Sequence, residues 1–149
     1  MNSTVLDFLE KERVCVLSGI LPDGGSHSST VHYSHTVEPL RIFFQTWDES
    51  MKVEALKKGK DPRASIVAGF SEKDSVTLQM RGTLRIVSNL EELKEIYKIH
   101  YKKHPFAEKY KNEHTVVIEF KPSWWRYTDF NTVPEIIIEN VEVKPLHTL

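Results

Sequence analysis

The sequence carries a single cysteine, few glycines and prolines, and no excess of charge of either sign. With Cys15 alone no internal disulfide can form, so a reducing, cytoplasmic setting is expected. Twenty Lys and Arg against 21 Asp and Glu leave a net charge of −1, and no global field steers the chain toward nucleic acid. No apolar run approaches the ~20 residues that cross a bilayer, and residues 1–7 lack the basic start and apolar stretch of a secretory signal. Membrane and export roles are therefore not expected. There is no internal repeat, linker or low-complexity segment. What remains is 149 residues, 40% apolar and 28% charged, the balance of a globular protein with its own core. One domain over 1–149 is expected, its core at about 5–130 and a tail over 131–149.

Local patterns then divide the chain. A helix is expected over 3–12, capped by Ser3, with Val5, Leu6 and Leu9 on one face. The β-branched run over 13–21 predicts a buried strand, and Pro22-Asp23-Gly24-Gly25 a turn. Strands over 27–35 and 40–46, parted by Glu38-Pro39, complete an expected three-strand antiparallel meander. In the second of these, Ser28, Thr30, His32 and Ser34 share a face. Ser50 caps the next helix, Val53 and Leu56 form its apolar face, and Gly59 stops it. Lys57, Lys58 and Lys60 read as its solvated end. Strands are expected over 63–70 and 75–87. Ser88-Asn89-Leu90-Glu91 has capping-box spacing and opens a helix to about Lys103, with the stripe Leu90, Leu93, Tyr97 and Tyr101. Pro122 splits two further strands, over 114–121 and 124–130. The tail over 134–143 alternates Ile136, Ile138, Val141 and Val143 and offers one more strand or a cover for a neighbour. The whole reads as a mainly β fold of about six antiparallel strands with a few helices.

The most informative stretch is Phe44-Gln45-Thr46-Trp47-Asp48-Glu49-Ser50-Met51-Lys52, which joins a strand end to a helix start. Unpaired N–H groups, the Ser50 hydroxyl and the Lys52 ammonium suit a phosphate there, with Thr46 closing the other side. The same spacing also describes a plain N-cap beside a solvated lysine.

Phe-Gln-Thr-x-x-x-Ser-x-Lys-x-x-x-Leu resembles the FMN phosphate motif of the pyridoxamine 5′-phosphate oxidase-like split barrels, in particular their general stress protein branch. Asp61-Pro62-Arg63, Gln79-Met80-Arg81-Gly82 and Trp124-Trp125-Arg126-Tyr127 follow in that family's order. The resemblance covers about residues 5–130. It implies an antiparallel split barrel that binds FMN in a cleft between the two chains of a homodimer. By the same resemblance Thr46, Ser50 and Lys52 hold the phosphate, with Met51 among them, and Gln45 lies by the ribityl chain or ring. Ser29, Thr30 and Val31 run along the isoalloxazine. Thr77 or Gln79, and Trp124 or Trp125, come from the second chain. Arg126 stands where the oxidases bind substrate. Two departures are plain: Met51 replaces an Arg of the full oxidases, and Thr128 replaces the His of their Arg-x-His-Asp. The implied function is a small FMN oxidoreductase other than a true pyridoxamine phosphate oxidase. The alternative is a non-enzymatic flavin, deazaflavin or haem protein on the same barrel.

The other candidates are weaker. His100 and His104 have the spacing of a zinc pair but lack the adjacent Glu, and among Lys98, Lys102 and Lys103 they read as a solvated basic helix end. His32 and His35 point to opposite faces of a strand, which speaks against joint ligation, and no metal site is expected. Cys15 between Val14 and Val16 reads as a buried, inert thiol. Trp124 and Trp125 face opposite ways, so one belongs to the core and the other to an interface or pocket.

Overall fold

The computed structural model describes residues 1–59 and 61–140; Lys60, Val141 and Val143, which the sequence placed in a helix end and a tail strand, lie outside them. Helix α1 (Ser3–Lys11) buries Val5 and Leu9. Its cap is Asn2, whose Oδ1 accepts from the Thr4 N–H at 2.9 Å, in place of the expected Ser3. Strand β1 (Val14–Ile20) runs antiparallel to β2 (Ser26–His32), and β3 (Ser34–Val37) to β4 (Leu40–Trp47). Helix α2 (Met51–Lys57) leads to β5 (Arg63–Ala68) and β6 (Val76–Val87). Helix α3 (Leu90–Lys103), a 3₁₀ segment (Pro105–Tyr110), β7 (Thr115–Asp129) and β8 (Ile136–Glu139) follow.

The strands form one antiparallel sheet in the order β2-β1-β5-β6-β7-β4-β3, with β8 beside the C-terminal half of β7. The expected three-strand meander is not present. The predicted strand over 27–35 breaks at Tyr33, and its halves become the two edges of the sheet. Because one residue joins those edges, the sheet curls into the half-barrel of a split-barrel fold. Inward side chains alternate as the sequence pattern requires: Leu78 and Met80 are buried on β6, while Gln79 and Arg81 are exposed. Trp125 lies in the core and Trp124 faces outward.

Pro122 does not split β7. It sits at a bulge, where Gly82 pairs with Pro122 while Arg81 pairs with Trp124, so Ser123 is the extra residue. Pro122 has no N–H to lose there, and a Cβ on Gly82 would stand 2.0 Å from the Lys121 carbonyl oxygen. The proline and glycine are thus a matched pair.

Helix α3 starts one residue later than expected. Asn89 caps it, its Oδ1 accepting from the Glu92 N–H at 3.0 Å. The buried stripe is also rotated: Ile96 and His100 are inside, Leu93 and Tyr97 pack partly against the sheet, and Leu90 is exposed.

The largest correction concerns the two helical histidines. They are not a solvated end: His100 is 3% and His104 0% exposed. His104 Nε2 bonds the Tyr33 carbonyl at 2.7 Å, so that nitrogen carries the proton, and Nδ1 accepts from the Arg13 guanidinium at 3.2 Å. Acceptance at Nδ1 requires the neutral ring. His100 Nδ1 meets the Ser34 hydroxyl at 2.9 Å. Amphipathic spacing that treats histidine as polar misplaces this face. Cys15 is fully buried, and burial pushes its thiol up to about 12, as an inert group requires.

Two outcomes follow for stability. Gly82→Ala should lower stability by about 2 kcal/mol or more, since neither carbonyl nor strand can yield at the bulge; an unchanged denaturation midpoint would contradict this reading. His100 is held down to about 4, first by burial and then by His104, His32 and Lys103, against an ordinary value of 6.5. Below pH 6.5 the unfolded chain therefore takes up a proton that the folded chain refuses. Stability is complete above about pH 6.5 and declines toward pH 4, by up to about 3 kcal/mol. His100→Gln should flatten that slope in melting temperatures measured across this range.

Candidate functional site

The β4–α2 junction is built by the local sequence. Ser50 has extended backbone angles at the N-cap, and its carbonyl accepts from the Val53 and Glu54 N–H groups at 3.0 and 2.9 Å. Its hydroxyl does not cap the helix. Instead it receives the Thr46 hydroxyl at 3.4 Å. Lys52, two residues after the cap, is half-buried, and desolvation lowers its pKa. Among the described residues no carboxylate lies within 4.0 Å of its ammonium. Met51 beside it is exposed.

Two cavities adjoin this junction. One, of about 260 Å³, is walled by Thr30, Val31 and His32 of β2, Gln45, Thr46 and Trp47 of β4, His100 of α3, Phe106, Ala107 and Tyr110 of the 3₁₀ segment, and Thr115. Gln45 is clamped in its wall: the Tyr101 hydroxyl donates to its Oε1 at 2.7 Å, and its Nε2 donates to the Ala107 carbonyl at 3.0 Å. The other cavity, of about 20 Å³, has room for one water and places Ser29 and Lys52 on its lining with His27, Asp61 and Arg63. Ser29 Oγ is buried there without any hydrogen-bond partner. Asp61 is engaged by Arg63, Nη2 to Oδ2 at 2.7 Å, and that bond holds its carboxyl down to about 2.

Ser50 and Met51 stand at the helix start and line neither cavity; the other residues named from the sequence fall into three sets. Thr30, Val31, Gln45 and Thr46 share the larger cavity, and Ser29 and Lys52 share the smaller one. The Thr46–Ser50 hydroxyl contact ties the larger cavity to the helix start. Thr77, Gln79, Trp124, Trp125 and Arg126 line neither cavity of the same chain. Gln79 pairs with Arg126 and Arg81 with Trp124 across β6 and β7. The Arg81 and Arg126 guanidinium carbons stand 4.5 and 5.5 Å from the Trp124 ring. Thr77 Oγ1 donates to the Ala68 carbonyl at 3.3 Å, and Trp125 is core. Arg126 is engaged by Glu139 of β8.

Sequence reasoning missed the wall made by His100, Phe106, Ala107 and Tyr110. The signal was present as Pro105 directly after a helix, which turns the chain back sharply, but nothing local says which strands it returns to. Among the described residues no three His, Cys, Asp or Glu side chains are grouped to hold a metal ion. No helix among them is long and apolar enough to cross a membrane.

Comparison with known proteins agrees with this architecture. The family model for pyridoxamine 5′-phosphate oxidase matches residues 1–129. No curated protein matches the chain in sequence. Among solved structures it is similar to a conserved hypothetical protein from Mycobacterium tuberculosis, with TM-score 0.71, 20% identity, and coverage of 90% of this chain and 88% of the other. It is also similar to a heme binding protein from Mycobacterium smegmatis (TM-score 0.71, 16% identity), covering 88% of this chain and 54% of that one. A third is a relative of general stress protein 26 from Clostridium acetobutylicum (TM-score 0.69, 12% identity), covering 92% of each chain. At these identities the likeness is one of fold. The family match, the curled antiparallel sheet and the order of the motifs agree: this chain belongs to the pyridoxamine 5′-phosphate oxidase family.

Proposed function

We propose that the chain is an FMN-binding flavoprotein, a small cytoplasmic oxidoreductase whose cofactor lies in a cleft between two copies. One observation carries the reading. At the β4–α2 junction two hydroxyls, Thr46 and Ser50, turn toward each other and not to the helix, beside a half-buried lysine without a carboxylate partner among the described residues. Ser29 Oγ, buried and unpartnered next to Lys52, adds an unmet hydrogen-bonding group. A phosphate at the helix start answers the two hydroxyls and the lysine, since it accepts from hydroxyls and offsets the desolvation of the lysine's charge.

In this reading Thr46, Ser50 and Lys52 hold the phosphate and Met51 contributes only bulk. Thr30 and Val31 give one wall to the ring, and Gln45, already clamped, keeps one N–H and one lone pair for the ring edge or ribityl chain. Thr77, Gln79, Trp124 and Trp125 are the positions assigned to the other subunit; Gln79 and Trp124 stand on an outer face and are accessible to it, whereas buried Trp125 acts by supporting that face. When bound, FMN supplies the two-electron acceptor chemistry, and the chain binds and orients it. Pyridoxamine phosphate oxidation is not assigned. Thr128 stands in place of a histidine and is buried, and Arg126 is neutralised by Glu139.

A second reading is a non-enzymatic carrier of flavin, deazaflavin or haem. It is favoured by His32, whose imidazole lines the larger cavity, and by the likeness to a heme binding protein. The absorption spectrum of purified protein separates the two readings: a flavin spectrum bleached by a reduced nicotinamide cofactor supports the enzyme, and a haem band supports the carrier.

Ser50→Ala combined with Lys52→Ala should weaken FMN binding by at least about 100-fold, taking about 1.5–3 kcal/mol for each of two bonds to a charged group. Flavin fluorescence titration measures it, and unchanged affinity would remove the phosphate from this junction. Sedimentation of the loaded protein should give a dimer.

A further inference from the structure

Pro105 ends α3 and the 3₁₀ segment carries the chain back over β2 and β4. It brings two aromatics to the larger cavity, Phe106 and Tyr110, which line it together with Trp47 from the end of β4. These rings are 40%, 65% and 56% exposed. Large aromatics left in water at one concave place mark a surface that something else covers. The remaining wall is polar without being charged. Thr30, Thr46 and Thr115 offer hydroxyls, Gln45 an oriented amide, and Val31 and Ala107 apolar surface. No Lys, Arg, Asp or Glu is among the lining residues. His32 and His100 complete the wall, and burial lowers the pKa of both, which favours the uncharged ring. Phe106 is fixed edge-on, its ring 5.0 Å from His32 and 5.9 Å from His104. The wall is therefore partly pre-formed.

Flat apolar faces with hydrogen-bonding groups between them, and no ion to balance, suit one kind of occupant. We propose that this cavity binds the planar, uncharged aromatic ring of the substrate, with Phe106 and Tyr110 as its specificity-determining residues. Naming that ring as the substrate rests on the flavin reading, in which β2 and β4 serve the cofactor; the wall from the 3₁₀ segment is the part assigned to the substrate. An anionic ring is disfavoured because no lining cation repays the loss of its hydration.

Calorimetric titration of the FMN-loaded protein with 2-naphthol and with naphthalene-2-sulfonate, alike in shape and different in charge, tests this. Binding of 2-naphthol at least about tenfold tighter than the sulfonate is expected. Phe106→Ala with Tyr110→Ala should cost 2-naphthol about tenfold or more while FMN affinity stays within about twofold. Tyr110→Phe keeps the ring and should keep binding, which separates lost stacking from a damaged fold. Equal affinity for the two probes, undiminished binding in the double variant, or a parallel loss of FMN would each overturn the proposal. Conversion of the double variant to monomers would make these rings a subunit contact and overturn it equally. The two readings fail separately. Protein that takes up 2-naphthol but no FMN loses the flavin reading and keeps an aromatic-ring site, whereas protein that takes up FMN but no 2-naphthol loses this proposal alone.

Discussion

The structure depends on how one residue, Tyr33, is held. It joins β2 to β3, the two edges of the sheet, and every polar group it owns is used there. Its N–H donates to the Arg13 carbonyl at 3.2 Å, its carbonyl accepts from His104 Nε2 at 2.7 Å, and its hydroxyl donates to the Leu9 carbonyl at 2.7 Å. A strand that breaks in the interior leaves backbone groups without a ladder, and each would cost about 1–3 kcal/mol if unpaired. Here α1, the start of β1 and the end of α3 supply the partners. Lys103 lies over the same ring, 4.2 Å from its centroid, and donates to the Leu9 carbonyl at 2.8 Å. Burial lowers that lysine to about 8.

Helix α3 is thereby fixed at its C-terminal end, and charges fix the other. Glu119 on β7 is nearly buried and takes Arg41 Nε at 2.9 Å and Arg85 on its second oxygen; Arg85 also engages Glu92 in the first turn of α3. A buried carboxylate without such partners would be strongly destabilising, so the network positions the helix as well as neutralising Glu119. With α3 held at both ends, the 3₁₀ segment after it has little freedom in where it lands. That is why Phe106 and Tyr110 share a cavity with Trp47, and why Gln45 is clamped between Tyr101 and Ala107.

The same logic explains a near-neutral chain with a polar junction at Thr46, Ser50 and Lys52. Part of the charge elsewhere is held in local pairs such as Asp61–Arg63 and Arg126–Glu139. Surface pairs of this kind add little stability. What is left without a carboxylate partner at the β4–α2 junction is one lysine.

Some of this was legible without coordinates. Period-two alternation identified β6 and its inward residues, Pro22-Asp23-Gly24-Gly25 marked the turn between β1 and β2, and the ordered motifs around Ser50 and Lys52 identified the family, because these are properties of neighbouring residues. Other features were decided only by the tertiary structure. Nothing near Tyr33 in sequence announces that the strand breaks there, since the groups that make the break tolerable come from Leu9, Arg13 and His104. Pro122 predicts an end to a strand unless Gly82, 40 positions earlier, lies opposite to accept a bulge. The histidines of α3 look solvated among lysines because hydropathy treats imidazole as polar; a buried carbonyl and a serine hydroxyl, supplied by another part of the chain, make their burial possible. Periodicity and motif order reside in the local chain, whereas burial of a polar group depends on partners that only the fold brings within hydrogen-bonding distance.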